Sequence, residues 1–415
     1  MSSAPLPSRN PVSPENLLNP LPLYAELRES DPVHWSEALH GWVLTRHDDV
    51  AACFRDSRFS ANRVKMFEAQ AGALGPDVLV DYLGIARHQM LMKDGADHIR
   101  MRRQTMAAFT PEALSSWRPS IYRIINLLLD QVHARGEMDL VKDISYHFPP
   151  LVIAEVLGIP AADREMFQAW SAPLAEFSGP GLDVDMVALA RRANTAAREL
   201  YEYLVRHIEH LQKNPGHDAL SQMLHSETSV GHMDPTDLAA TSQLLLTAGH
   251  LTTTDQLSNG VYDLLTHPEQ FKKLLEDPSL IRSTVEEMLR YSPAVPFFHR
   301  IVAEDLVLRG KTLRKGDVVF LGMAAANRDP LVFPEPDRFD ITRSHMHSRL
   351  MTFGHGPHHC LGAGLARREL EIAVEVLIRR LPGLQLDERN APQLKFHSLV
   401  FRGFTQLPVR WSTGG

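Results

Sequence analysis

The residue best placed for chemistry is a cysteine in a loop punctuated by glycine and proline: Phe353-Gly354-His355-Gly356-Pro357-His358-His359-Cys360-Leu361-Gly362. Gly354 and Gly356 permit backbone angles that a side chain would forbid, and Pro357 stiffens the approach to the cysteine. An Ala/Leu/Arg/Glu-rich helical pattern follows, so Cys360 sits near a helix start. Unpaired N–H groups and the positive end of the helix dipole concentrate there. Such surroundings lower a thiol's pKa and favour thiolate. A thiolate on a rigid loop suits a soft metal ligand or a nucleophile. Three other readings stay open on these ten residues alone: an inert buried thiol, a zinc site drawing on His355, His358 and His359 with a spacing that fits no zinc pattern, and a hydrolytic nucleophile.

Other residues could join such a centre. His98 and Arg102 are four apart and share a helix face; a solvated basic face is the plainer reading. Ala248-Gly249-His250-Leu251-Thr252-Thr253-Thr254 interrupts a long helical pattern with glycine and β-branched residues, each of which weakens a helix by up to about 1 kcal/mol. That points to a kink or groove admitting a ligand, or to a close helix crossing at Gly249. Glu287 and Arg290, three apart, can form an ion pair. Arg300 falls in Phe297–Val302, a strand by composition.

These residues need elements to hold them. Asp234 caps, and Pro235 opens, the longest helical pattern, which runs to about Leu265. Helical spacing also covers 15–29, 48–54, 110–134, 143–157, two segments of 161–212 separated at Gly179-Pro180-Gly181, 217–225, 268–276, 280–291 and 365–381. Residues 33–45 read as a short hairpin. Residues 61–93 read as irregular, with glycines breaking any period and too much apolar content for simple disorder.

The chain has 415 residues, 44% hydrophobic and 22% charged, with net charge −7. It is neither a general nucleic-acid binder nor a membrane-surface binder. Two cysteines far apart and no secretory pattern indicate a reducing cytoplasm. No run of about 18 apolar residues provides a membrane anchor.

The order of five motifs resembles the cytochrome P450 family in its bacterial soluble form. They are the His98/Arg102 helix, the Gly249/Thr252 helix, Glu287/Arg290, the Asn327–Phe339 meander and the Cys360 loop. The resemblance implies a mainly α fold, with a flexible leader over 1–14 and one helical haem domain over 15–415, small sheets included. It implies haem b with Cys360 as axial thiolate in a loop that includes Phe353 and Gly354. His98, Arg102, Arg300 and His358 would bind the propionates. Thr252, with the small Ala248 and Gly249, would handle dioxygen. Glu287, Arg290 and Arg338 would form a buried bracing network. Leu245, Ala248, Val295, Phe297, Phe298 and Val400 would line the substrate pocket. The implied activity is a monooxygenase of secondary metabolism that hydroxylates or epoxidises an apolar small molecule. Its electrons would come from a ferredoxin and ferredoxin reductase docking on Arg100, Arg103, Arg367 and Arg368. Oxidative coupling, desaturation or peroxide use are alternative chemistries, and a non-catalytic haem or ligand carrier is the alternative class. The chain departs from the family pattern at Leu251, where most members place an acid that relays protons. His250 and Asp255 are the titratable neighbours left to supply one.

Overall fold

A computed structural model describes residues 9–75, 77–178, 184–225, 233–344, 346–395 and 400–413. It is built around the helix Pro235–Thr266, whose N-terminus is capped by the Asp234 carboxylate accepting from the Thr236 N–H at 2.8 Å. Buried residues occupy every face of this helix, Leu238, Thr241, Leu246, Leu257 and Val261 among them. An all-round buried helix belongs at the centre of a large core. The helices Phe148–Val156, Met186–Lys213, Ile281–Tyr291 and Ala363–Arg380 all contribute to that core. The fold is therefore mainly helical, with small sheets at its edge, as the sequence implies. The largest sheet has five strands in the order Val33–Ser36, Gly41–Leu44, Val318–Gly322, Phe297–Val302, Phe59–Ser60. Phe297–Val302 runs antiparallel to Val318–Gly322, with Arg300 opposite Val319.

Several helices divide where a single pattern was expected. The 15–29 pattern splits into Pro14–Leu18 and Leu21–Ser30, the 110–134 pattern into Pro111–Ser116 and Arg118–Asp130, and the 143–157 pattern into a π-type turn Leu140–Ser145 and Phe148–Val156. Pro22, Pro119 and Pro149 sit in the first turn of the second member each time. Proline fits there because its missing N–H would have no partner in any case. Residues 61–93 are not irregular: they form the helices Val64–Leu74 and Val80–Ala86 and a turn at Met90–Met92. Ala71, Val78 and Leu79 bury themselves against Ala190 of the Met186–Lys213 helix. Such packing outweighs the helix cost of Gly72 and Gly84. Residues 1–8 of the expected leader and the expected break at Gly179-Pro180-Gly181 lie outside the described residues. Arg9 is described, and it pairs with Glu26 at 2.5 Å.

The long helix runs unbroken through Ala248–Thr254, and Ala248, Gly249 and Thr252 line a cavity beside it. The Thr252 hydroxyl donates back to the Ala248 carbonyl at 2.7 Å, and Thr254 donates to the Ser145 carbonyl at 2.8 Å. Both hydroxyls are satisfied without unwinding the backbone. The tight helix crossing lies elsewhere. A Cβ at Gly260 would meet Met288 at 1.9 Å, whereas one at Gly249 would meet nothing nearer than the Ile153 side chain at 3.8 Å.

A buried charge network fastens the meander to the core. Glu287 and Arg290 are both fully buried and joined by two bonds, of 2.7 and 2.8 Å. Arg290 also donates to the carbonyls of Asn327, Pro336 and Arg338. Asn327 in turn accepts the Met351 N–H and donates to the Thr352 hydroxyl, each at 2.8 Å. This chain of contacts ends at the residue before Phe353. The Arg338 side chain is not part of it. That side chain is 54% exposed and faces Glu335 and Asp340, and it is the Arg338 backbone carbonyl that joins the network. Arg343, from the same meander, brings its guanidinium to 3.5 Å from Glu287 instead.

Candidate active site

The Cys360 loop closes on itself before its helix begins. The Cys360 N–H donates to the Phe353 carbonyl at 2.9 Å, and Gly354 and Gly356 take φ of 67° and 71°, left-handed values open to glycine. At Gly356 a side chain would also strike the Phe54 carbonyl, 2.7 Å from the Cβ position. Phe353 is held from outside by Arg367, whose guanidinium lies 4.4 Å from the ring centre and pairs with Glu286 at 2.6 Å.

Cys360 is exposed, and it opens into a cavity of about 280 Å³. The Gly362 and Ala363 N–H groups, together with Arg102 and Arg367, favour its thiolate. Burial outweighs them and pushes the free thiol up. The lowered thiol expected from the sequence is therefore absent: desolvation of an anion exceeds what the donors return. A bound cation would reverse that balance.

The same cavity gathers residues from four parts of the chain, among others. His98 and Arg102 come from the helix Gly95–Met106, Leu245, Ala248, Gly249 and Thr252 from the long helix, Val295, Phe298 and Arg300 from the sheet region, and Phe353, Gly354 and His358 from the cysteine loop. The His98 and His358 rings lie 3.8 Å apart, and His358 Nε2 is 3.7 Å from Asp94. Arg102 donates to the His359 carbonyl at 2.6 Å. Burial lowers the His98 pKa to about 4, with the neighbouring His358 and Arg102 adding to the effect.

Two expected pocket residues do not line this cavity. Phe297 points to the other face of its strand and packs edge-on against Tyr24 at 5.6 Å, because successive side chains on a strand alternate. Val400 follows a segment, 396–399, that lies outside the described residues, and it is not among the cavity's described walls. The two candidate proton donors are also elsewhere. His250 is fully buried, with Ser171 and the Tyr146 carbonyl each 3.2 Å from its ring nitrogens, and burial lowers its pKa to about 4. Asp255 is fully buried against Lys395 at 2.5 Å. Of the four arginines expected to dock a redox partner, Arg367 is committed to Glu286 and Phe353, Arg100 faces Asp237 at 3.4 Å, and Arg368 pairs with Glu371 at 2.9 Å. Arg103 alone of the four is exposed.

One lining residue went unread in the sequence. Glu369 is buried in the cavity wall, burial holds its carboxyl well above the usual range, and one of its oxygens has no partner. It lies among Leu365, Leu370, Ile372 and Ala373, all buried on the Ala363–Arg380 helix. A carboxylate inside an apolar helical stripe was the available signal.

The sequence profile of the family described as Cytochrome P450 matches residues 76–410. The chain belongs to the cytochrome P450 family. It is 39% identical over 395 residues to a vitamin D(3) 25-hydroxylase from Pseudonocardia autotrophica, covering 94% of this chain and 93% of that one. It is 36% identical over 394 residues to a mycinamicin IV hydroxylase/epoxidase from Micromonospora griseorubida, covering 94% of each. Among solved structures it resembles P450BioI in complex with an acyl carrier protein ligated to hexadec-9Z-enoic acid. There the TM-score is 0.86 and the identity 34%, over 96% of this chain and 100% of that one. This P450 is thus an oxidoreductase of the monooxygenase class, and the family implies a haem iron cofactor. The residues present fit that group. They include a thiol open to the cavity with two N–H groups behind it and, among the described residues, guanidinia without carboxylate partners and a His98 Nε2 buried without a hydrogen-bond partner. No helix among the described residues is long and apolar enough to cross a membrane.

Proposed function

We propose that this P450 oxidises an apolar small molecule, by hydroxylation or epoxidation, as a step of secondary metabolism. Electrons come from a ferredoxin and its reductase in the cytoplasm. The observation that carries this reading is a single cavity joining the Cys360 thiol to an apolar wall of Leu244, Leu245, Ala248, Val295 and Phe298. Bound haem supplies the activation of dioxygen, and the protein supplies ligation, access and orientation.

Cys360 Sγ would ligate the iron, and His98, Arg102, Arg300 and His358 would take the carboxylates of the macrocycle. The apolar wall positions the substrate and excludes water. The Thr252 hydroxyl, which now donates to the Ala248 carbonyl, turns about χ1 to donate into the cavity. Turnover with a ferredoxin and reductase, by a compound that shifts the haem spectrum, should give a product carrying one oxygen atom from dioxygen. Conversion with hydrogen peroxide but not with the electron-transfer proteins would overturn this in favour of a peroxide-using enzyme. A carrier-tethered acyl substrate is the second reading, favoured by the likeness to P450BioI. A spectral shift with an acyl group on its carrier and none with the free compound would select it.

The Arg102→Ala, Arg300→Ala variant should lose haem to an excess of a haem-binding trap about 100-fold faster than wild type. Each charge-assisted bond contributes about 1.5–3 kcal/mol. The band of the reduced CO complex should keep its position, because the thiolate is untouched. Unchanged haem retention would argue against the assignment.

His250 and Asp255 are engaged by Ser171, the Tyr146 carbonyl and Lys395, which supports a proton route that does not use them. Leu251 carries no proton, and the one carboxyl in the cavity wall among the described residues is Glu369, whose pKa burial raises well above the usual range. Coupling with surrogate substrates should be poor, with much reductant appearing as peroxide. Leu251→Asp should raise product per electron pair, and Glu369→Gln should lower it. Tight coupling in wild type, unmoved by either change, would refute this.

A further inference from the structure

Arg63 is a buried guanidinium that neither the sequence motifs nor the site assignment accounts for. It stands at the start of the helix Val64–Leu74, and it is 2% exposed. Its Nε has no hydrogen-bond partner, and one Nη meets only the Met92 sulfur, at 3.8 Å. A thioether is a weak acceptor, and a buried guanidinium without an anion is costly. The side chain lies 4.8 Å from the centre of the Phe298 ring, and Arg300 lies 5.3 Å from the same ring. Phe298 and Arg300 both line the cavity that holds Cys360. Burial and the nearby Arg300 depress the Arg63 pKa to about 9, which still leaves it charged at neutral pH.

Charge balance says what is missing. Arg63 and Arg300 both lie against Phe298, and Arg300 lines the same cavity as Arg102, with Arg63 behind its wall. Arg102 and Arg300 donate to backbone carbonyls and form no ion pair among the described residues. Among the described residues the carboxylate that acts on both Arg63 and Arg300 is Asp94, which accepts from Ser60 and the Ala61 N–H and faces His358. The group is two negative charges short, and a haem carries two carboxylates.

We propose that Arg63 is a third cationic anchor for the haem carboxylates, acting beside Arg102 and Arg300. This rests on the haem-thiolate reading of the site. A single substrate carboxylate would leave the balance one charge short, and a purely packing role would leave the guanidinium unpaired.

The test uses the holoenzyme. Arg63→Met keeps the stem against Phe298 and removes the charge; Arg63→Lys keeps the charge. Haem transfer to excess apomyoglobin and the ferric/ferrous reduction potential are measured for both. Arg63→Met should release haem about tenfold or more faster than wild type. Its potential should move negative, because loss of a nearby cation favours the ferric state, while the reduced CO band keeps its position. Arg63→Lys should recover much of both effects. Unchanged release and potential in Arg63→Met would overturn the proposal, as would equal losses in Arg63→Met and Arg63→Lys, which would mark a packing role. Weakened binding of a long-chain carboxylic acid but not of the matching alcohol, with haem release unchanged, would assign Arg63 to substrate instead. A wild-type protein that binds no haem would defeat the haem reading itself, whatever Arg63 does.

Discussion

Cys360→Ala is expected to abolish the red-shifted, thiolate-type band of the reduced CO complex and all monooxygenase turnover. No second sulfur can take over. Cys53 is packed in a separate core cluster with Val33, Leu44 and Val50, and burial pushes its thiol up to about 12. His355 and His359 are close in sequence, but imidazole ligation produces a different band. Spectra of the reduced wild type and variant under CO decide the matter. A wild type with an imidazole-type band, or a variant that keeps the thiolate-type band, would remove Cys360 from the iron.

Arg290→Met is expected to destabilise the protein by about 3–5 kcal/mol, because it strands the fully buried Glu287 carboxylate. Arg343, at 3.5 Å, offers that carboxylate only partial compensation. The change also leaves the carbonyls of Asn327 and Pro336 without the Arg290 donor, while the Arg338 carbonyl keeps Arg343. Asn327 holds Met351 and Thr352, so haem retention should fall together with stability. Denaturant unfolding and haem content measure the two effects. In a cycle with Glu287→Gln, the double variant should be markedly less destabilised than the sum of the singles, since the second change removes the stranded charge. A loss below about 1 kcal/mol, or an additive cycle, would mean the pair does not brace the loop.

Much of this protein was determined by local sequence. The Cys360 loop was legible because its glycines, proline and cysteine carry their constraints within ten residues, and Gly354 and Gly356 take the left-handed angles that their type permits. The long helix was legible from its Asp234-Pro235 start; the Glu287–Arg290 spacing alone was weak, and the family resemblance of the surrounding motifs pointed to a buried pair. Tertiary packing decided the rest. The helices within 61–93 exist because their apolar faces meet Ala190, more than a hundred residues away, which no local period announces. Phe297 and Phe298 are neighbours of the same type, yet strand alternation sends one to Tyr24 and the other to the cavity. Asp255 and His250 lie within three residues of Thr252, but Lys395, Ser171 and the Tyr146 carbonyl claim them. Arg338 and Arg343 are both arginines of one meander, and the fold alone chose which guanidinium approaches Glu287. Sequence fixes which groups are available and what each can do over one or two turns. Which of them share a dry cavity, and which cancel one another's charge, depends on contacts between distant segments, and those are set when the whole core closes.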